Sequence, residues 1–105
     1  MMKPVRFDVE AEEEFTAAAG WYEQERPGLG GDFVVSINET VLEVRERPES
    51  FPLAPAVPKS LGVRRAIVKR FPYAVVFLEL PEEIRVLAVA HGARKPGYWR
   101  DRTPR

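Results

Sequence analysis

Residues 48–58 read PESFPLAPAVP, with four prolines in eleven positions. Proline has no backbone N–H and a fixed φ, so this stretch can neither continue a helix nor lie inside a sheet. It divides the chain into two parts that must be read separately. The stretch itself is expected to be an extended connector on the surface.

Before the connector the pattern is helical. Ala11, Phe15, Ala18 and Tyr22 recur at spacings of four, three and four, which is one face of a helix. Asp8 stands where an N-cap belongs, and Glu10, Glu12, Glu13 and Glu14 suit the positive end of a helix dipole. These glutamates are expected to form a solvated face. Pro27-Gly28, with Gly30 and Gly31 close behind, marks the helix end. A second helix is expected from about Gly31 to Arg47, where Val34, Ile37, Val41 and Val44 repeat beside Phe33 and Pro48 brings the stop. Two such helices joined by a short turn make an antiparallel hairpin with one shared apolar face. Ahead of them, Lys3 to Phe7 alternates as a short first strand.

After the connector the pattern is that of strands. Val63 to Lys69, Tyr73 to Leu80 and Ile84 to Ala90 are rich in Val, Ile, Leu and aromatic residues, and Pro81-Glu82-Glu83 turns the last two into a hairpin. Both of those strands are apolar on two faces and so should lie centrally. Along VRRAIVK, Val63, Arg65, Ile67 and Lys69 share one side, while Arg64, Ala66, Val68 and Arg70 share the other. Alternation on the last strand sets Arg85, Leu87, Val89 and His91 against Ile84, Val86, Ala88 and Ala90. The second set is the smoother apolar one, so it is expected to face the core and to leave His91 on the open face. The order β-α-α-β-β-β is that of an α+β fold, a helical hairpin packed on a mainly antiparallel four-stranded sheet, with residues 1–105 as a single domain.

Composition narrows the function. The chain has 45% hydrophobic and 30% charged residues, which fits a globular protein, and it lacks the apolar run of roughly 20 residues that crosses a bilayer. No secretory signal is visible at the start, and a reducing cytoplasm is the expected location. With no cysteine there is neither a disulfide nor a thiolate site. A single histidine and no metal-ligand spacing lead to the expectation of no metal and no cofactor. The formal net charge is zero, yet residues 1–50 hold 12 acidic and 5 basic side chains, and residues 51–105 hold 4 and 11. That asymmetry fits an anionic partner for the basic half, or attraction between the halves.

Chemistry concentrates near HGARKPGYW, residues 91–99. Through the hairpin, His91 is expected near Phe71 to Tyr73, with Lys69 and Arg70 just before them and Arg94 on the following loop. Cleavage of RNA by its own 2′-hydroxyl needs a base, an acid and cations for the phosphate. In that reading His91 is the general acid or base, and Arg65, Lys69 and Arg94 complete the catalytic set by holding phosphate. Arg64 and Arg70 extend substrate binding, and Tyr73, Tyr98 or Trp99 stacks a base. Against it stands the plainer reading of a strand end, an edge strand guarded by Lys and Arg, and aromatics that cover the core.

The ordered set of residues resembles the RelE/ParE superfamily of bacterial toxins. It comprises Phe7, Phe15, Ala18, Trp21-Tyr22-Glu23, Arg26-Pro27-Gly28-Leu29-Gly30, Phe33, Ile37, Pro48 and Phe51-Pro52. It continues through Val63-Arg64-Arg65, Phe71-Pro72-Tyr73-Ala74-Val75-Val76-Phe77, the Ile84–His91 strand, Arg94-Lys95-Pro96 and Trp99. The resemblance implies a toxin encoded beside an antitoxin, in modules often described as plasmid stabilisation systems. The antitoxin's disordered tail would fold onto the toxin, at an edge strand or the helix-hairpin groove. RelE-like members cut messenger RNA on the ribosome, whereas ParE-like members inhibit DNA gyrase. Messenger RNA cleavage is the first expectation here; gyrase inhibition, or a degenerate relative that keeps only antitoxin binding, are the alternatives. Ala74 stands where RelE-like enzymes carry a catalytic arginine after a tyrosine, a departure that counts against cleavage of that type. His91 and Arg94 match the H-x-x-R-like ending of many members.

Overall fold

A computed structural model describes residues 2–104. Strand β1 (Val5–Phe7) leads into helix α1 (Val9–Glu25), helix α2 (Leu29–Glu46), and strands β2 (Val63–Ile67), β3 (Tyr73–Glu79) and β4 (Ile84–His91). The strands lie in the order β1-β4-β3-β2. Pairs β2/β3 and β3/β4 are antiparallel, whereas β1 runs parallel to β4, so the sheet is mixed. Parallel pairing follows from the connection: a helical hairpin returns the chain to the same end of the sheet before the β meander begins.

The α1/α2 hairpin covers one face. Phe33, Ile37 and Val44 of α2 pack with Ala11 and Ala18 of α1 against Val75, Phe77, Ile84, Val86 and Val89. Burying a side chain the size of Phe33 or Ile37 stabilises the fold by about 1.5–3 kcal/mol. The buried stripe of α2 runs through Phe33, Ile37, Thr40 and Val44, one position out of phase with the expected Val34, which is only half-buried. The helices meet closely at Gly30, where an added Cβ would lie 2.6 Å from the Ala19 carbonyl oxygen. At the same corner the Glu23 carboxylate accepts hydrogen bonds from the backbone N–H groups of Gly28 and Gly30, two donors that the start of α2 leaves open. Asp8 precedes α1 but makes no side-chain cap bond. Its carboxylate instead accepts two bonds from Arg85, at 2.9 and 2.7 Å.

Simple alternation fails within β4. Val76 pairs with Ala88 and Phe77 with Val86, so Leu87 has no partner and forms a β-bulge. Ile84 and Val86 face the helices before the bulge, and Val89 faces them after it. Leu87 and Ala88 turn to the opposite face, where they join Val63, Val76, Leu78 and Trp99. The expected grouping of Leu87 with Val89 and His91 is therefore corrected. His91 follows Val89 onto the helix side, at the rim, where its ring meets Tyr73 at 5.0 Å.

The second face of the sheet is covered as well. Ala54 and Val57 of the proline-rich connector, Leu61 just after it, and Tyr98 and Trp99 of the C-terminal segment close over it. The connector is more than a surface strap. Ala54 is buried and donates its N–H to the Val63 carbonyl, and the Arg65 N–H donates to Pro52, so Leu53 makes a one-residue bridge to the edge of β2.

Candidate functional site at the sheet end

Where β4 extends past the short β1, its outer edge would leave backbone groups unpaired, and buried backbone groups require partners. Three side-chain and loop contacts supply them. Asp8 donates its N–H to the Val86 carbonyl, Arg102 Nη1 donates to the Leu87 carbonyl at 2.9 Å, and the Val89 N–H donates to Glu14 Oε1 at 3.1 Å. Glu14 thereby becomes the centre of a network. It also accepts from Arg102 Nη1 at 3.0 Å and from the Tyr98 hydroxyl at 2.7 Å, and Arg94 Nη1 lies 3.5 Å away. Arg102 in turn offers its carbonyl to Arg85, which links this network to Asp8. The C-terminal segment is thus stapled along the edge of β4.

This network holds the aromatic and basic residues singled out in the sequence. The Arg94 guanidinium sits 3.7 Å over the Tyr98 ring, a cation–π contact. Burial, reinforced by the hydrogen bond to Glu14 and by its charge, holds the Tyr98 hydroxyl far above the ordinary tyrosine range. Burial also raises Tyr73, helped by Tyr22 and Glu14. Trp99 is 4% exposed and belongs to the core beneath the far face of the sheet.

His91 pairs with Tyr73 across β3/β4, and its Nδ1 accepts a 2.9 Å hydrogen bond from the Ala93 N–H. An acceptor at Nδ1 places the proton of the neutral ring on Nε2. Arg65 lies across the sheet on the other face, yet it lines the same cleft as His91, Arg94 and Tyr98. Its Nε is buried without a hydrogen-bond partner.

The remaining basic residues go elsewhere. Lys69 Nζ is 3.9 Å from Glu43, and Arg70 Nη2 is 3.6 Å from Asp32, so both associate with acidic groups of α2. Arg70 has φ of +72°, the left-handed conformation that turns the chain out of β2. Arg64 points toward the helices and donates to the Phe51 carbonyl. The structure therefore brings together His91, Arg94, Tyr73, Tyr98 and Arg65, and separates Lys69, Arg70 and Arg64 from them. It also adds Glu14 and Arg102. Glu14 looks like any other glutamate of α1, and only its position opposite β4, which local sequence does not express, distinguishes it. Among the described residues no group of three or more His, Asp or Glu side chains is placed to hold a metal ion.

A helical hairpin packed on a four-stranded mixed sheet is the architecture of RelE/ParE superfamily type II toxins. A family model for the ParE toxin of the type II toxin–antitoxin system parDE matches residues 5–96, and the chain belongs to that family. Among solved structures, the chromosomal ParDE toxin–antitoxin system from P. aeruginosa is similar, with 23% identity and a TM-score of 0.72. The match covers 86% of this chain and 96% of that one, and at such identity it shows the shared fold. A search of curated proteins finds no match. Family membership implies a cognate antitoxin as partner. No helix among the described residues is long and apolar enough to cross a membrane.

Proposed function

We propose that this chain is a toxin that acts by binding and inhibiting DNA gyrase, ahead of the messenger RNA cleavage that the sequence first suggests. One observation carries the choice: the aromatics that a nuclease would use to stack a base are already engaged. Trp99 is core, and Tyr98 lies under Arg94 with its hydroxyl on Glu14. Two further points support it. Lys69 and Arg70 neighbour acids of α2 instead of joining His91, and Ala74 offers no charge beside Tyr73. Membership of the ParE branch agrees with the same reading.

Cleavage of RNA is the second reading, favoured by the shared cleft of His91, Arg94 and Arg65. The two are separated by assaying purified protein against gyrase supercoiling and against messenger RNA, free and on ribosomes. Inhibited supercoiling, uncleaved RNA and toxicity that survives His91→Ala are expected. RNA cuts that disappear in His91→Ala would establish cleavage instead.

A further inference from the structure

A groove with about 270 Å³ of space lies between α1 and the sheet end. Tyr73, His91 and Arg94 separate it from the cleft that Arg65 lines, and they belong to the walls of both. Small side chains create the groove. Ala17 and Ala18 of α1 and Val89 of β4 line it, and none is large enough to fill it. Aromatic rings complete the walls: Trp21 from the helix, and from the sheet Tyr73 and His91, set edge to face at 5.0 Å. Trp21 is 56% exposed, and its one ring neighbour among the described residues is Tyr22, at 5.1 Å. A scattered exposed hydrophobe needs no explanation. An exposed indole that walls an aromatic-lined hollow does.

Polar groups gather at one end of the groove, where Glu14 and Arg94 stand. Glu14 is already satisfied, by the Val89 N–H, the Tyr98 hydroxyl and Arg102. Arg94 is not. Its Nη1 stops 3.5 Å from Glu14, and its guanidinium makes no hydrogen bond among the described residues. His91 accepts at Nδ1, which leaves Nε2–H as a second donor with no acceptor among the described residues. Arg94 and Arg102 against Glu14 give this end one net positive charge.

We propose that the groove binds a small aromatic carboxylate. Its planar group of one or two rings lies between Trp21 and the Tyr73–His91 corner, over Ala17 and Val89, and its carboxylate accepts from Arg94 and His91 Nε2. The size fits, since a cavity on the order of 150 Å³ holds a benzene. One net positive charge matches a carboxylate; the dianion of a phosphate monoester would set a second negative charge beside Glu14. A peptide strand finds no ladder here, because the Val89 N–H is on Glu14 and the Leu87 carbonyl is on Arg102. The assignment is independent of whether gyrase or RNA is the target.

The probe is naphthylacetate, titrated into the full chain labelled with nitrogen-15. The Trp21 indole N–H, the Arg94 Nε–H and the Ala17 amide should shift together and saturate with a dissociation constant of about 1 mM, ordinary for a ligand of this size. Naphthylacetamide, which lacks the charge, should bind roughly tenfold more weakly, and Arg94→Gln should erase that difference. Ala17→Leu places a good helix former at an exposed position but fills the hollow. It should keep the melting temperature and abolish binding. Absence of a saturating shift by about 10 mM overturns the proposal. So does undiminished binding by Ala17→Leu, or equal binding of naphthylacetate and naphthylacetamide. Tighter binding of adenosine monophosphate than of naphthylacetate overturns it too, in favour of a nucleotide.

Discussion

Glu14 and Tyr98 lie 84 positions apart and share a 2.7 Å hydrogen bond between carboxylate and hydroxyl. With Arg102 on the other oxygen, this contact fastens the last structured segment to the first helix. Both side chains of the Glu14–Arg102 pair are more than four-fifths shielded from solvent, which lifts the pair above an ordinary surface ion pair.

Glu14→Gln keeps the shape but removes the charge and one acceptor, leaving a largely buried Arg102 without its counter-ion. The expected loss is about 2 kcal/mol, read as a lower urea midpoint at unchanged slope. Glu12→Gln or Glu13→Gln, on the exposed face of the same helix, should change stability by less than about 0.5 kcal/mol. Equal effects at positions 12 and 14 would remove Glu14 from its central place.

The chain has three tyrosines, and the environments of Tyr22, Tyr73 and Tyr98 all push the hydroxyl above its ordinary value, chiefly by burial. An acid whose folded pKa exceeds its unfolded one binds its proton longer in the folded state. The resulting stability is complete below about pH 10 and is lost as the pH climbs from there toward the folded values. A spectrophotometric titration should show no tyrosinate at the ordinary value, and its appearance should coincide with unfolding. Reversible ionisation of one tyrosine near pH 10 in folded protein contradicts this.

The two tryptophans report opposite environments. Trp21 is 56% exposed and Trp99 is 4% exposed. In Trp21→Phe the remaining emission should be blue-shifted and resist acrylamide; in Trp99→Phe it should be red-shifted and easily quenched. Trp99→Ala is expected to cost about 3–5 kcal/mol. A Trp99→Ala protein of full stability would return this residue to the list of candidate contacts.

Neighbouring glycines of α2 should respond in opposite directions. Gly30→Ala drives a methyl group to 2.6 Å from the Ala19 carbonyl oxygen and 2.9 Å from Glu23 Cβ, and must separate the helices. A Cβ at Gly31 meets nothing within 4 Å. Gly31→Ala should therefore stabilise by about 0.5–1 kcal/mol, and Gly30→Ala should lower the melting temperature by several degrees. Thermal melts of the two variants decide it.

Periodicity made the helical hairpin, the β order and the hairpin partner of His91 readable in advance, because each depends on residues close together in the chain. What stayed hidden depends on distance. The parallel seat of β1 beside β4 follows from where α2 ends in space. Glu14 takes its importance from Val89, Tyr98 and Arg102, and none of these lies within 70 positions of it. Ser36 and Thr40 occupy the buried side of α2 without any apolar signal, the Thr40 hydroxyl bonding back to the Ser36 carbonyl. The basic residues looked like one cluster because they are close in sequence, but the left-handed turn at Arg70 carries Lys69 and Arg70 over to α2.

The bulge at Leu87 gives β4 a change of parity. Before it, even-numbered residues face the helices; after it, odd-numbered ones do. One strand thus serves two interiors, the hairpin layer and the layer closed by Trp99. Were Leu87 paired as an ordinary ladder residue, with no bulge, the same residues would exchange inside for outside along the rest of the strand. His91 would then turn away from Tyr73 toward the opposite layer, so a single unpaired residue decides which side of the molecule its sole imidazole addresses.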